Sequence, residues 1–510
     1  MYAAGRTDNA KRNLVIGMSS KIVMLGATFL VRTVFIRILG AEYTGVNSLY
    51  TNILSILNLA ELGFGSVFAY ELYQPLRDND SQRIAQIVSL FKKVYLCIAG
   101  VIFSSGILVI PLLDYIVKSD LNKESLIIYY ILYLLDSVFS YLAMYRAIVI
   151  EADQKRYITS LVETFCKIIM YGLQALYLVI KKDFLGYLIL QILFTLIRNW
   201  ILHIIASKKY PYLHNNGIKN GTKHALDTSR IYGNVKATFI SKVAGVILNQ
   251  TDSIIISTLF GTVYVGYFSN YYMLITYLNS IYYIFTTSLE AGIGNLNAEG
   301  DKKKSMILYQ RLSFTIALVN CICVAVFTNV VQDFITVWIG EKYLQGYALI
   351  WSLTFSFYTQ QSMCVITMYR QTLGLFKEVQ KIYPIMVILN IVLSILLGIK
   401  MGTAGVILAT GIARLATSFW FEGKVVFQKL GYDFKIYIKQ QLICAIWTSI
   451  ITIIAFELCK LITIASIFTI IIKGILTLFI VLSAEIFLFH RTEEWQWVML
   501  LIKDKVGHRA

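Results

Sequence analysis

The sequence predicts an all-α membrane protein with 14 transmembrane helices, arranged as two repeated six-helix lobes followed by two C-terminal helices. Three observations lead to this prediction. The 510-residue chain is 57% hydrophobic and 15% charged, and its mean hydropathy of +0.66 is too high for a soluble globular protein. Fourteen apolar stretches are long enough to cross a bilayer. A long internal repeat divides twelve of these stretches into two halves.

Each predicted helix has about 20 residues or more, the length needed to cross the hydrocarbon core. The predicted lobes are 1–215 with helices 1–6 and 216–432 with helices 7–12, and the segment 433–510 holds helices 13–14 and an interfacial cytoplasmic tail. The first stretch is too long for a cleavable signal peptide and ends in Arg37. The 14 helices lie near 14–38, 45–72, 90–113, 125–150, 157–180, 184–206, 232–259, 263–290, 310–337, 345–370, 382–400, 402–424, 437–459 and 463–489.

The repeat has an offset of 221 positions and needs no gap. Ser20-Lys21 returns as Ser241-Lys242, and positions 20–50 contain seven identities with 241–271. Because each half has an even number of helices, both enter the membrane in the same direction and are related by a pseudo-two-fold axis along its normal. The other identities are Gly40, Tyr43, Gly45, Ser48 and Tyr50, which return as Gly261, Tyr264, Gly266, Ser269 and Tyr271, and Met144-Tyr145-Arg146 returns at offset 224 as Met368-Tyr369-Arg370.

The net charge of +17 is explained by topology. With the N-terminus cytoplasmic, about 30 of the 46 Lys and Arg fall at cytoplasmic ends and loops, about 8 outside and about 8 within helices. This asymmetry is the positive-inside signal, and it predicts that both termini and the loop 207–229 are cytoplasmic. The basic charge therefore does not indicate a nucleic-acid partner.

Cysteine and histidine usage predicts no cofactor and no metal site. The seven cysteines form no C-x-x-C pair, and the five histidines show no metal-ligand spacing. The chain also lacks the glycine-rich phosphate loop of ATP-hydrolysing enzymes.

The first helices of the two halves carry charges inside apolar stretches. Lys21 and Arg32 are 11 residues apart, which places them on one helix face about 16 Å apart along the axis. Lys242, Asn249 and Asp252 occupy the matching stripe of helix 7. A charge at the bilayer centre costs about 2.5–3.5 kcal/mol, so each of these residues needs a partner or water.

The geometry of a helical hairpin predicts different roles for these candidates. If helices 1 and 2 fold back around residues 40–44, Lys21 lies at the depth of Glu61 and Arg32 at the depth of Thr51. We therefore expect Lys21 and Glu61 to form an ion pair, which is either structural or functional, and Arg32 to face a central cavity. Lys242 has no acidic residue at its own level on helix 8.

Three more ionisable residues inside helices are candidates. Arg198 lies near the cytoplasmic end of helix 6, where its side chain can also reach the interface, and Arg414 lies near the middle of helix 12. Asp136 in helix 4 and Asp252 are the acids that these cations could find across the bundle. The structural alternative is that each cation caps backbone carbonyls or pairs with one of these acids.

Two other helices carry charges that we do not assign to a site. Glu163 and Lys167 are four residues apart in helix 5, a spacing at which they satisfy each other. Helix 14 carries Lys473 and Glu485.

Four segments together resemble the Wzx-type polysaccharide flippases, the oligosaccharidyl-lipid and polysaccharide transporter branch of the MOP superfamily, which is related to the MATE exporters and the lipid II flippase. The resemblance covers essentially the whole chain, and its sharpest motifs lie in the first 80 residues. The segments are Arg32-Thr33 through Gly45, Glu61-Leu62-Gly63, Leu72-Tyr73-Gln74-Pro75-Leu76 and Gly292-Ile293-Gly294-Asn295.

The resemblance implies two six-helix, MATE-like lobes around an alternating-access cavity in a bacterial plasma membrane. It implies that undecaprenyl-diphosphate-linked oligosaccharide units are flipped to the outer leaflet for capsule, exopolysaccharide or O-antigen assembly. It also suggests coupling to a Na+ or H+ gradient and partnership with membrane lipids and with the polymerase and glycosyltransferases of the pathway. We expect Arg32, Lys242, Arg414, Lys21, Arg198 and Asn249 to contact substrate, and Glu61, Asp252 and Asp136 to couple the ion or form structural pairs.

Physical chemistry favours a carrier of lipid-linked sugars over two alternative functions. A diphosphate-linked sugar loses hydration in hydrocarbon, so a carrier must offer cations, and Arg can bind a phosphate through two hydrogen bonds. A MATE-like exporter of small organic cations would favour acidic cavity residues, whereas the candidates here are mostly basic. A membrane-embedded polymerase or glycosyltransferase would need a sizeable outer loop, and the longest predicted one, near 114–124, has only about ten residues.

Overall fold

The computed structural model describes residues 2–61, 64–213, 228–462 and 466–507. Over these ranges all regular secondary structure is helical. Most of the predicted loop 207–229, namely 214–227, and Leu62-Gly63 of the resemblance motif lie outside the described residues. The helices of the first part are α1 (Tyr2–Leu57), α2 (Phe64–Asp78), α3 (Ser81–Val109), α4 (Leu113–Ile116), α5 (Lys123–Tyr141), α6 (Met144–Ala152), α7 (Arg156–Lys181), α8 (Phe184–Lys209) and α9 (Thr228–Phe260).

The rest of the chain continues the same all-helical pattern. Its helices are α10 (Thr262–Glu299), α11 (Lys302–Ile339), α12 (Tyr347–Ser362), α13 (Cys364–Thr372), α14 (Phe376–Val379), α15 (Ile382–Met401), α16 (Thr403–Ala416), α17 (Ser418–Leu430), α18 (Phe434–Cys459), α19 (Ile467–Phe489) and α20 (Glu493–Gly507).

Ten helices of the described chain are long and apolar enough to cross a membrane, or eleven if the bent pair Lys123–Tyr141 and Met144–Ala152 is one span. The protein is therefore a multi-pass membrane protein. The first of these spans, Arg12–Leu57, contains a break at Gly40 and so holds parts of predicted helices 1 and 2. Predicted helices 8 and 10 are present as α10 and α12–α13 but are not among the ten spans.

The chain divides into two compact units, 1–266 and 267–510. Helix α9 packs against α1 and belongs to the first unit in this structure, although the repeat assigns it to the second predicted lobe. The lobe boundaries at 215 and 432 stay a prediction.

The glycines of the repeat explain how the chain turns. Gly40 and its repeat partner Gly261 both have positive φ angles, 83° and 102°, which glycine adopts at little cost. Gly45 lies so close to the Thr262 carbonyl that a Cβ would overlap its oxygen, and a Cβ on Gly266 would overlap the carbonyl oxygen of Ala41. Ala41 and Thr262 are themselves related by the offset of 221, so the two contacts are reciprocal.

Two tyrosines related by the repeat form hydrogen bonds with the beginnings of corresponding helices. Tyr50 is fully buried, and its hydroxyl donates to the Leu126 carbonyl, 2.9 Å away, in the first turn of α5. Tyr271 is also fully buried, and its hydroxyl accepts a hydrogen bond from the Gln345 backbone N–H just before α12 (3.0 Å). In each unit a repeat tyrosine therefore holds the start of the predicted fourth helix of the half.

Apolar side chains cover the outward faces of the helices, as expected where lipid is the solvent. On α19, for example, Phe479 and Phe487 are 67% and 80% exposed. The buried stripe of the same helix is mixed, with Lys473, Thr477 and Glu485 among its members.

Candidate functional site

Arg32 lies on α1 of the first unit among tyrosines. Its guanidinium is close enough to Tyr133 of α5 and Tyr187 of α8 for its charge to act on both hydroxyls, and both tyrosines are buried. The Tyr133 hydroxyl donates to the side-chain oxygen of Asn47. The half-buried Arg32 thus lies near two buried tyrosine hydroxyls.

Asp136, one helical turn after Tyr133, is held by neutral groups. Its two carboxylate oxygens accept hydrogen bonds from Gln191 Nε2 (2.7 Å) and Thr195 Oγ1 (2.5 Å), both on α8. The ion pairs of the described residues include none to Asp136. It therefore fastens α5 to α8 in this structure.

Glu61 ends a short 3₁₀ turn, Asn58–Glu61, that interrupts predicted helix 2. The hydroxyls of Tyr95 and Tyr141 lie beside its carboxylate, and the Lys242 ammonium is near enough for the two charges to attract. The rings of Tyr95 and Tyr141 stack, with centroids 6.3 Å apart. The cation that approaches Glu61 is therefore the repeat partner of Lys21.

The structure does not form the predicted Lys21–Glu61 ion pair among its described residues. Lys21 lies instead beside Arg156 of α7, the helix against which α1 packs. A fold-back around residues 40–44 sets each residue's depth in the membrane but not the side of the helix on which its side chain lies. The helix break before Glu61 changes that side, and α9 supplies a cation that no local argument could place there.

Asn249 and Asp252 follow Lys242 along α9. The exposed Asn249 amide donates to the Gly245 carbonyl of its own helix (2.8 Å). Asp252 is buried, and the hydroxyl of its neighbour Ser253 accepts a hydrogen bond from Asn52 Nδ2 (2.7 Å). This contact joins α9 to the second part of α1, next to the acid.

Arg198 belongs to a local charge group between α7 and α8. Its Nη2 donates to Asn199 Oδ1 (3.1 Å), and its charge acts on Glu163. Glu163 pairs with Lys167 at 2.6 Å, as predicted from their spacing. These contacts fit a structural role for Arg198.

Arg414 lies in the second unit and is buried on α16. Its Nη1 donates to the Ser356 carbonyl (3.0 Å) and to Thr359 Oγ1 (3.3 Å), both near the end of α12. Capping a backbone carbonyl is the structural alternative stated above for this residue. Arg414 belongs to the second unit, whereas Arg32 and Lys242 belong to the first.

Sequence reasoning missed a buried ion pair in the second unit. Arg370 Nε lies 3.0 Å from Glu422 Oε2, both side chains are almost fully buried, and the Tyr383 hydroxyl donates to the same carboxylate (2.8 Å). The Met-Tyr-Arg repeat marked Arg370, but Glu422 lies 52 positions further along the chain and nothing in the sequence connects the two. In the first unit the equivalent Arg146 contacts Tyr145 and His203 instead.

The first unit thus combines two in-helix cations, Arg32 and Lys242, with nearby tyrosine hydroxyls and one carboxylate, Glu61. Cations and hydroxyls in a low-dielectric setting bind phosphate and sugar oxygens. The described residues contain no group of three or more His, Cys, Asp and Glu that could hold a metal ion.

Comparison with solved structures identifies proteins with a similar fold. The structure resembles the lipid II flippase MurJ in its inward closed conformation, with a TM-score of 0.68 and 14% identity over 93% of this chain and 98% of that one. It also resembles an inward-facing multidrug resistance MATE transporter of the MOP superfamily (TM-score 0.62, 12% identity, 82% and 99%) and the MATE transporter VcmN of Vibrio cholerae (0.56, 13%, 84% and 98%). These similarities show a shared fold.

A search of curated protein sequences finds no match. A family model described as "Polysaccharide biosynthesis protein" matches residues 10–289, more than half of the chain. With the shared fold, this match confirms the resemblance that the sequence motifs indicated. The chain belongs to the polysaccharide biosynthesis protein family.

Proposed function

We propose that this protein flips undecaprenyl-diphosphate-linked oligosaccharides from the cytoplasmic to the outer leaflet of a bacterial plasma membrane. The observation that carries the proposal is the pair of in-helix cations, Arg32 and Lys242, in a member of a polysaccharide biosynthesis family. The similarity to a lipid II flippase supports it, because lipid II is also a lipid-linked saccharide. Polymer assembly then requires glycosyltransferases before this step and a polymerase after it.

The proposed topology has 14 spans with both termini in the cytoplasm. It counts α1 twice, on either side of Gly40, and adds α10 and the α12–α13 pair to the more apolar spans. The last two carry more polar residues, which is common for helices that border a polar pathway. The lysine and arginine excess on one set of loops supports the orientation.

In this proposal Arg32 binds the diphosphate through its planar fork, and Lys242 neutralises the remaining charge. Glu61 holds Lys242 when substrate is absent, so phosphate competes with Glu61 for the ammonium. Lys21, Asn249 and Asp252 lie on the same polar faces of α1 and α9 and have supporting roles. Arg198, Arg414 and Asp136 serve the fold, given the contacts described above.

The test is a flipping assay at matched protein levels. Arg32→Ala and Lys242→Ala should each abolish surface polymer while the protein stays folded in the membrane, and Arg32→Lys should recover only part of the activity because an ammonium lacks the bidentate geometry. Lys400→Ala, which removes an exposed cation at the end of α15, is the control and should leave activity unchanged. Full activity in both alanine variants would refute the proposed binding roles.

A dye-export assay with the same set of variants addresses the main alternative, a MATE-like exporter of organic cations. An exporter of cations needs acidic residues in its cavity. If this alternative holds, Glu61→Gln and Asp252→Asn should abolish export of a cationic dye from cells, and Arg32→Ala should not. For the flippase, wild-type protein should not change dye accumulation, and lipid-linked oligosaccharide should accumulate in the inner leaflet of cells that lack the protein.

A further inference from the structure

A ladder of side chains joins α19 to α11 in the second unit. Residues of the two helices that face each other have numbers summing to 806, as expected for antiparallel helices in contact every fourth residue. Lys473 pairs with Asp333 (2.7 Å), and Thr477 accepts a hydrogen bond from Asn329 Nδ2 (3.2 Å). Val481 then packs in one apolar cluster with Ala325.

The last rung of the ladder is Glu485 with Cys321. The Glu485 side chain is 1% exposed, its charge acts on the Cys321 thiol, and its Oε1 has no hydrogen-bond partner. The first rung is electrically neutral because Lys473 and Asp333 cancel. Glu485 therefore adds a buried carboxyl group without a matching cation.

Helix α18 completes the surroundings of Glu485. The contacts of Thr477 with Cys459 and of Phe489 with Trp447 fix an antiparallel register in which Glu485 lies at a level between Thr448 and Thr452 of α18. Both threonines are buried, and neither hydroxyl has a hydrogen-bond partner.

The titratable groups near Glu485 are all acids or thiols. Helix α11 presents Cys321, α18 presents Cys444, and α12 presents Tyr358, whose hydroxyl lies beside Thr448. Of the thirteen buried side-chain atoms without a partner among the described residues, five belong to this region: Glu485 Oε1, Thr448 Oγ1, Thr452 Oγ1, Tyr358 OH and Gln440 Oε1.

These polar groups lead to a small cavity, about the size of one water molecule. Its lining includes Ser362 and Cys444, which lie one helical turn from Tyr358 and Thr448, and it also includes Gln440. Gln440 is in the second turn of α18, near the end of the spanning segment. The cavity therefore lies along α18 between the level of Thr448 and the beginning of that helix.

We propose that Glu485 is a proton-binding site of this protein. An ionised carboxylate buried without a cation costs several kcal/mol, and a bound proton removes that cost. On release the O–H bond of the Glu485 carboxylic acid breaks, its electron pair stays on the carboxylate, and water takes up the proton.

A proton fits this site better than a metal cation. Sodium would need about six oxygen ligands, by analogy with other hard cations, whereas the group that the structure places in electrostatic contact with Glu485 is the Cys321 thiol. The nearby cavity, about the size of one water molecule, has no room for a hydrated ion. As an extension of the proposed flipping activity, protonation of Glu485 would couple transport to a proton gradient.

Infrared difference spectroscopy of the purified full-length protein tests the proton directly and without substrate. Wild-type protein at neutral pH should show a carboxylic-acid C=O band that shifts in D₂O. The band should be lost in Glu485→Gln, which keeps the side-chain shape, and retained in Glu457→Gln, an exposed carboxylate on α18 that pairs with Lys460. A wild-type spectrum without this band, or one unchanged in Glu485→Gln, would overturn the proposal. Melting temperatures establish that both variants are folded.

Reconstituted vesicles test the coupling. An imposed pH gradient should accelerate flipping by wild-type and Glu457→Gln protein, whereas Glu485→Gln should flip at the same rate with and without the gradient. If Glu485→Gln still responds to the gradient as strongly as wild type, Glu485 is not the coupling site. If wild-type protein flips no lipid-linked oligosaccharide, the proposed function fails, and the infrared result still decides whether Glu485 holds a proton.

Discussion

At the scale of single residues, the membrane-buried charges fall into two kinds. Some have a strong protein partner, such as Arg370 with Glu422 and Lys473 with Asp333. Lys242, by contrast, is exposed and only attracted by Glu61. A buried ion pair fixes the structure, whereas an accessible cation can exchange its partner for a ligand.

The Arg370–Glu422 pair should be needed for stability. Arg370→Met leaves Glu422 as a buried charge without compensation, so it should lower the free energy of unfolding by about 3–5 kcal/mol. The double variant Arg370→Met/Glu422→Leu should recover most of that loss. The measurement is the unfolding midpoint in detergent.

Arg77→Ala is the matched control for this prediction, because Arg77 pairs with Asp78 on the exposed surface. Such pairs contribute about 0–1 kcal/mol. If the two Arg370 variants are equally unstable, the charge on Glu422 is not the cause, and loss of packing against Phe376 and Tyr383 is.

At the scale of helices, the repeat is visible as equivalent N-caps in the two halves. Asp80 caps α3 by accepting from the Arg83 backbone N–H (2.9 Å), and Asp301 caps α11 by accepting from the Lys304 backbone N–H (3.0 Å). Both donors and both acceptors are related by the offset of 221. An N-cap aspartate satisfies backbone donors that the first turn leaves without partners.

The Asp301 N-cap should make the stability of the folded protein depend on pH. The Lys304 backbone N–H, with the nearby Lys304 side chain, holds the pKa of the Asp301 carboxyl below its usual value. A lowered pKa stabilises the folded state above the unfolded-state pKa, and this contribution is lost as pH falls through the folded-state pKa. Asp301→Asn keeps a capping oxygen but lacks the charge, so wild type should melt slightly higher at neutral pH and the difference should vanish in acid. A difference that is constant with pH would contradict this cause.

The reciprocal glycine contacts predict two equivalent destabilising substitutions. Gly45→Ala and Gly266→Ala each place a methyl group on a backbone oxygen that cannot move aside, which should cost about 1–3 kcal/mol. Gly26→Ala, in α1 with no atom near the new methyl, is the control and should stabilise by about 0.5–1 kcal/mol. Unfolding midpoints of the three variants check the order. Equal midpoints for Gly45→Ala and Gly26→Ala would exclude the close approach.

At the scale of the whole molecule, the proposed topology makes a labelling prediction. In a variant without native cysteines, Lys123→Cys at the start of α5 should react with an impermeant thiol reagent in intact cells. Lys208→Cys at the end of α8 should react only after the membrane is opened. Both side chains are exposed, so access to the membrane side decides the outcome. Labelling of Lys208→Cys from outside would invert the proposed orientation.

The sequence by itself determined the features that depend on local spacing or composition. Apolar length predicts the membrane class, the offset of 221 predicts equivalent turns at Gly40 and Gly261, and a four-residue spacing predicts the Glu163–Lys167 pair, which the structure confirms. These features follow from helix geometry and from the cost of polar groups in lipid, which act along a single segment.

Only the tertiary structure decided which distant charges meet. Depth in the membrane suggested Lys21 as the partner of Glu61, but a 3₁₀ turn and the packing of α9 bring Lys242 there instead. Arg370 with Glu422, and Glu485 with Cys321, likewise depend on the rotation and register of helices that are far apart in the chain. Side-chain packing along whole helices sets that rotation, so no local pattern contains it.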